Sequence, residues 1–332
     1  MTPYSPHVLW LAISASLILA GCGNNSAEQP WVDYHQQLTK GLSIATIERH
    51  SPPNIGEFPE RRERLFDIPE TREGMLNIYA LRGCQITSLI AARNNQLGRV
   101  APPSQHWLYE RTLWQRLSAC WNSDIPDTLS DDDKARLVAL TELKTEQLPT
   151  VSWNAIFDSE EWEKSFSRAS SPLNSLELPN IDNQLLAVDY LEQMVKHQFS
   201  QEWQQDSSAL ENHLKTLQER PLTAEVLRTL LLAHQRLIEA NEALETTRSA
   251  TNECLQDNFP AWLAPVEQIS HQWLMSINRL INVHELTPPE AVTNYQNTWL
   301  SLSNPQAPWQ QLQRAKEEHQ ALRDQFTGCS DN

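Results

Sequence analysis

Glycine is scarce in this chain, 8 in 332 residues, and no stretch alternates apolar and polar residues well enough to read as a strand. The apolar residues instead fall three and four apart, which is helical spacing, so the expected class is all-α. Long apolar runs are also missing. The longest, Val8 to Ala20, has 13 residues, short of the roughly 20 that a membrane-crossing helix needs. Positive charge is in deficit, with 26 Lys and Arg against 42 Asp and Glu for a net charge of −16. That balance excludes nucleic acid as a partner and gives no electrostatic hold on anionic lipid head groups. There is no Gly-x-Ser-x-Gly elbow, phosphate-binding glycine loop, dinucleotide fingerprint or His-Glu-x-x-His helix. None of the ten histidines follows a glutamate by three residues, so the di-iron helix pattern fails as well. No cofactor or metal is expected, and the reading leans away from an enzyme.

What the chain does carry at its start is Leu19-Ala20-Gly21-Cys22 directly after the apolar run. A run of that length suits a signal-peptide core, and the tetrapeptide resembles the lipobox of bacterial lipoproteins. The resemblance implies removal of residues 1–21 and a lipidated Cys22, bearing a diacylglycerol thioether and a palmitate-class acyl chain on its amine. Such a multi-chain anchor holds far more firmly than a single acyl group. Gly23, Asn24 and Asn25 follow the cysteine rather than Asp, which under the enterobacterial sorting rule implies the periplasmic face of the outer membrane.

Four cysteines remain, Cys84, Cys120, Cys254 and Cys329, an even number for a compartment that permits disulfides. Three pairings are open. Chain order favours Cys84 with Cys120, on consecutive helices, and Cys254 with Cys329, tying the C-terminal tail to the body. A metal site is the rival, but the chain has no Cys-x-x-Cys and no short-spaced Cys/His cluster.

The organisation is a leader at 1–21, a lipidated tether at 22–30 and a single bundle-like, disulfide-stabilised α-helical body at 31–332, with its one candidate seam at 169–181. Prolines punctuate the helices. The first is expected from Trp31 to His50. A basic island, Arg61, Arg62 and Arg64, precedes a hairpin with arms at Thr71–Asn94 and Ser104–Trp121, Ser104 serving as N-cap. Met75, Ile78, Tyr79, Ile86, Leu89 and Ile90 form the inner stripe of the first arm. Ser130 with Asp131, Asp132 and Asp133 starts the next helix, which is expected to end before Pro149. One or two short helices anchored by Trp153, Phe157, Trp162 and Phe166 follow. Longer helices are expected at Asp182–Gln218, Thr223–Asp257, from Pro260 or Pro265 to Val283, at Pro288–Leu302 behind a Thr287/Glu290 capping box, and at Pro305–Phe326 behind Asn304. His234 and Asn241 interrupt the apolar stripe of the Thr223 helix, where a polar pair fixes register. Glu317-Glu318-His319 and His284-Glu285 read as solvated helix polarity.

The best local candidate for function is the turn between the hairpin arms. Arg82, Arg93, Asn94, Asn95, Arg99 and Ser104 would gather guanidinium and amide groups at a tip able to hold a carboxylate, a phosphate or a partner's helix end. The structural alternative is that Asn94 or Gly98 ends one helix, Ser104 starts the next, and the arginines bridge acids within the body. Eleven tryptophans follow the leader; they could line a sugar groove but at helical spacing read as core. Leu81-Arg82-Gly83-Cys84-Gln85, Ala92 to Arg99 and Pro102-Pro103-Ser104-Gln105 resemble the bacterial lipoprotein family labelled domain of unknown function 3080. Nearly the whole mature chain is similar to it. Because that family is uncharacterised, the resemblance implies an envelope lipoprotein and no catalytic residue. The expectation is a scaffold, adaptor or regulator in envelope maintenance with an envelope protein as partner; the alternative is a protein that binds or cleaves peptidoglycan, or binds a small ligand.

Overall fold

The computed structural model describes residues 27–69, 74–95, 100–247, 255 and 259–326, and it is helical throughout these, with no strand among the described residues. Helix α1, Gln29–Gly41, opens with Pro30 in its first turn, where a proline loses nothing. It stops nine residues earlier than expected. From Ile44 to Pro59 the chain is irregular and is held by side chains of the body. The Trp299 indole lies where a β-carbon on Gly56 would stand, so glycine is required there. The basic island forms a one-turn helix, α2 (Arg61–Arg64), behind a Glu60/Glu63 capping box. Its charges are spoken for within the protein: Arg61 makes a two-bond fork to Asp158 (2.6 and 2.7 Å). Buried Arg64 donates to the carbonyls of Phe157 and Pro59 and to Glu163.

The first hairpin arm is not one helix. It is divided into α3 (Met75–Ala80), a 3-10 turn at Arg82–Cys84 and α4 (Thr87–Asn94). Between the turn and α4, Gln85 sits in the left-handed region with φ 59°, a conformation that no helix can continue through. The break follows from the bond between Cys84 and Cys120 (S–S 2.03 Å). It pins the turn to α5, Pro103–Trp121. Tyr79, expected inside, is exposed. Ser104 is not the N-cap of α5; that position is Pro102, and Ser104 lies inside the first turn with its hydroxyl on Glu211 (2.8 Å).

Ser130 does cap α6 (Asp131–Phe157), accepting from the Asp133 N–H, with the three aspartates in the first turn. The helix then runs through Pro149 instead of ending before it. An internal proline costs about 3 kcal/mol, but Leu148, Val151, Ile156, Trp153 and Phe157 are all buried, and burial of large side chains at about 1.5–3 kcal/mol each outweighs it. Thus Trp153 and Phe157 belong to a long helix, and Trp162 lies in a short one, α7 (Glu160–Ser165).

The expected helix over Asp182–Gln218 is two, α8 (Asp182–Lys196) and α9 (Ser207–Gln218), the second capped by Asp206. The cause is a single side chain. Arg111 of α5, fully buried, donates to the carbonyls of His197, Ser200 and Trp203 (3.2, 3.1 and 2.9 Å) and to Gln205 Oε1 (3.1 Å). These bonds hold the link between the two helices in a non-helical path. Helix α10, Leu222–Thr247, is the central element, buried along most of its length. Helix α11, Leu263–Asn282, packs on α8, and α13, Pro308–Arg323, lies along α10. Between them α12 is short, Glu290–Tyr295, and extends as π-helix to Leu300. Its N-cap is Pro289, so the Thr287/Glu290 box does not form. Helix α13 likewise starts behind Ala307, while Asn304 closes a local turn onto the Gln306 N–H.

Two apolar cores result. The main one runs from Ala27 to Phe326 and includes Leu173 and Ile181 of the 169–181 stretch. The smaller one gathers Leu81, Cys84, Ile86, Leu113, Leu117, Cys120, Leu137 and Leu140 around the disulfide. Arg111 is the bolt between the hairpin α5/α6 and the α8/α9 link, so Arg111→Met is expected to lower the unfolding free energy by about 3 kcal/mol or more through the carbonyls left unpaired. Exposed Arg62→Met should change it by under about 1 kcal/mol in the same urea titration.

Candidate functional site

The hairpin-tip residues are dispersed by the fold. Arg82 lies before α4 and Arg93 in its last turn, at opposite ends of a helix about 12 Å long at 1.5 Å per residue. The Arg93 guanidinium stands 6.0 Å from the Tyr109 ring. Burial, reinforced by Arg93, holds His106 below its usual pKa. Asn94 and Asn95 are exposed at the end of α4. Ser104 reaches the other way, to Glu211 of α9, where Gln105 joins it (2.8 Å). Arg99 lies outside the described residues, as do Cys22, Cys254 and Cys329.

What gathers around Arg82 instead is a groove of about 520 Å³ lined by Tyr79, Arg82, Gln85, Thr87, Ser88 and Arg116. Its walls are set by the disulfide. Cys84 closes the turn that carries Arg82, and Cys120 lies one helical turn beyond Arg116 on the same face of α5. Arg82 stacks over Tyr79, its guanidinium carbon 4.8 Å from the ring centre, and spends one N–H on the Tyr79 carbonyl (3.3 Å). Arg116 donates to the carbonyl of left-handed Gln85. Neither has a carboxylate partner among the described residues, although the chain carries an excess of acids. Thr87 Oγ1 is shut off from solvent with no hydrogen-bond partner. Leu76 and Tyr79, one turn apart on α3, are 85% and 59% exposed beside it. Arg116, Gln85, Thr87 and Ser88 were not among the sequence candidates. The signal was the cysteine pairing: once Cys84 meets Cys120, the residue four before Cys120 must come beside the residue two before Cys84.

Three other polar clusters are internal. His319, expected on the solvated face, is fully buried. The Tyr34 hydroxyl bonds its Nε2, and its Nδ1 meets Asn241 Oδ1 at 2.6 Å. Arg323 donates to the Tyr34 oxygen (2.9 Å), and Asn241 Nδ2 donates to the Ala315 carbonyl (3.1 Å). Only one assignment satisfies every atom: Tyr34 donates to Nε2, and a neutral His319 donates from Nδ1 to Asn241. Burial, then the nearby charges of Arg323 and His35, pushes His319 down to about 3, while burial lifts Tyr34 to about 12. Asn241 is thus the register-setting polar residue of α10, and its partner is on α13; His234 takes no part. His284 is also buried, against Trp153 and Phe157, and burial lowers it to about 4. Glu192, Glu239 and Glu267 are buried acids, each paired with a cation. Trp107, Trp114, Trp153, Trp162 and Trp273 are core residues. Among the described residues no three metal-ligating side chains cluster.

Fold and site together describe an all-helical protein with a disulfide-braced arginine groove and no assembled catalytic constellation among the described residues. A family model described as protein of unknown function, DUF3080, matches residues 32–269, and the chain belongs to that family. No curated protein and no solved structure matches it.

The buried histidines have a measurable consequence. Each is neutral in the folded state and titrates near 6.5 when unfolded, so the unfolded chain binds more protons between pH 6.5 and the folded values of about 3 and 4. Stability is full above pH 6.5 and falls as pH drops below it. His319→Gln should remove about one proton from the linkage, flattening the slope of unfolding free energy against pH by about 1.4 kcal/mol per unit between pH 6 and 4.5. An unchanged slope would mean that His319 is not buried neutral.

Proposed function

We propose that this chain is a lipid-anchored envelope protein, held through Cys22 on the periplasmic face of the outer membrane, that works through protein contacts as a scaffold, adaptor or regulator in envelope maintenance. Its contact site is the groove between Arg82 and Arg116. The observation that carries the reading is two guanidinium groups in one groove, neither with a carboxylate partner among the described residues, in a chain of net charge −16. Arg61 and Arg62, by contrast, are each neutralised from within by a carboxylate. An open pair is suited to an acidic group from outside. The Cys84–Cys120 bond supports an oxidising compartment, and Leu19-Ala20-Gly21-Cys22 supports the anchor.

Photo-crosslinking in the native envelope tests the contact site, with the probe at Ser88 in the groove and a control at Glu317 on α13. One protein captured from Ser88 and not from Glu317 is expected, and its capture should fall with Arg82→Ala. Equal labelling from both positions, or none, would overturn the groove as a contact site. In the same preparation Cys22→Ser should release the protein from the membrane; retention would overturn the anchor.

The second disulfide is part of the proposal. Leu255, adjacent to Cys254, donates its N–H to the Phe326 carbonyl at 3.0 Å, three residues before Cys329. That bond supports Cys254–Cys329 as a second bridge beside Cys84–Cys120. Non-reducing peptide mapping should yield both cross-linked pairs, and a free thiol at Cys254 would overturn the second.

A further inference from the structure

The groove is too large for a bare inorganic anion and too polar for an apolar ligand, and its chemistry is divided between two walls. One wall is oxyanion chemistry. Arg82 and Arg116 each commit one N–H to a main-chain carbonyl, which orients both guanidinium groups, and their other donors meet no acceptor among the described residues. Ser88 contributes an exposed hydroxyl, while the unpartnered Thr87 oxygen lies buried. The first hydrogen bond of α4 runs from Ile90 to Ile86, so the N–H groups of Thr87, Ser88 and Leu89 have no acceptor within the helix, and Ile86 offers no side-chain cap. The other wall is apolar, formed by Tyr79 and continued by Leu76, the most exposed large apolar side chain described.

We propose that this groove binds the C-terminal carboxylate of a peptide segment whose last side chain is apolar. The carboxylate would sit between Arg82 and Arg116 and face the start of α4, while the apolar side chain lies on Tyr79 and Leu76. A carboxylate held by a guanidinium fork and unpaired main-chain N–H groups, next to an apolar platform, is a recognised way of reading a chain end. The assignment deepens the adaptor reading by naming what the partner presents. It also makes the disulfide part of the binding site: Cys84–Cys120 joins the segment bearing Arg82 to the helix bearing Arg116. Reduction separates the two guanidinium groups without removing either.

The test is calorimetric titration of the full chain in detergent micelles with three probes: acetyl-Gly-Gly-Leu as the free acid, the same peptide as its C-terminal amide, and inorganic phosphate. The acid is expected to bind at least about tenfold tighter than the amide, in line with the strength of charge-assisted bonds. Arg82→Gln and Arg116→Gln should each weaken the acid by a similar factor, and Arg82→Lys should recover only part of the loss because the fork is gone. Mild reduction of the folded protein should weaken it as well. Because Arg116 also supports Gln85, thermal unfolding of each variant is measured alongside, and Arg82→Gln, whose only bond is local, carries the decision. Equal affinity for acid and amide, or no binding of either, overturns the assignment. Phosphate binding more tightly than the acid, with the same arginine dependence, also overturns it and makes the groove a phosphoryl site. A partner captured from Ser88 whose binding ignores its own C-terminal carboxylate sinks this inference and leaves the adaptor reading standing.

Discussion

A guanidinium group with no access to water is among the more costly things a protein can bury, and Arg111 is buried without a carboxylate to neutralise it. Three main-chain carbonyls, one side-chain amide and the face of Trp203, 5.0 Å away, take the place of a counter-ion. Each carbonyl is a partial charge fixed in direction by the backbone, so the arrangement requires the α8/α9 link to follow one path. That path sends α9 back against α5, α7 and α8. Desolvation pulls the arginine below its ordinary pKa, as a burial without a full negative charge should. The position of the hairpin that bears the groove relative to the main core therefore rests on one side chain and the carbonyls around it.

The groove shows the same logic with the opposite outcome. Around Arg64 and Arg236, carbonyls and carboxylates close on the guanidinium until nothing is left to bind; Arg236 alone contacts Glu28, Glu239 and the His50 carbonyl. At Arg82 and Arg116 each guanidinium makes one hydrogen bond among the described residues, enough to orient a side chain and too few to satisfy it. A strongly negative protein can in this way keep a small region of positive potential, because screening over about 8–10 Å isolates it from distant acids. The disulfide makes such a region affordable: the loop it closes spans 36 residues, and the loop-entropy account credits that with about 4 kcal/mol.

Much of the fold was legible as sequence. Helical spacing and scarce glycine gave the class, Ser130 with its three aspartates gave a helix start, and chain order gave the Cys84–Cys120 pairing. The misreadings come from long-range contacts that outrank local pattern, polar at the α8/α9 break and at His319, apolar at Pro149 and covalent at Cys84. The α8/α9 break has no glycine or proline to announce it, since the residue responsible lies some ninety positions away. Helix α6 ignores its proline because packing decides. His319 sits in a run of glutamates and glutamines that reads as surface, and only its neighbours on α1 and α10 turn it inward. The tip residues Arg82, Arg93 and Ser104 are close in sequence, but the left-handed Gln85 and the eight-residue α4 hold Arg82 and Arg93 apart, and Ser104 is buried against Glu211.

The first described residue bears on how force enters the molecule. Ala27 is buried, Glu28 is gripped in a fork by Arg236 of α10, and Trp31 packs edge-on against Trp262 at 4.7 Å. The chain thus has no slack once it reaches Ala27, and a pull on its N-terminal end is delivered straight to the central helix. Under the proposed anchor at Cys22, residues 23–26 would supply a leash of at most about 14 Å at full extension, shorter than the long helices α5, α6, α10 and α11. A body so tethered would pivot but not reach, and whatever it met would have to come to the surface that held it.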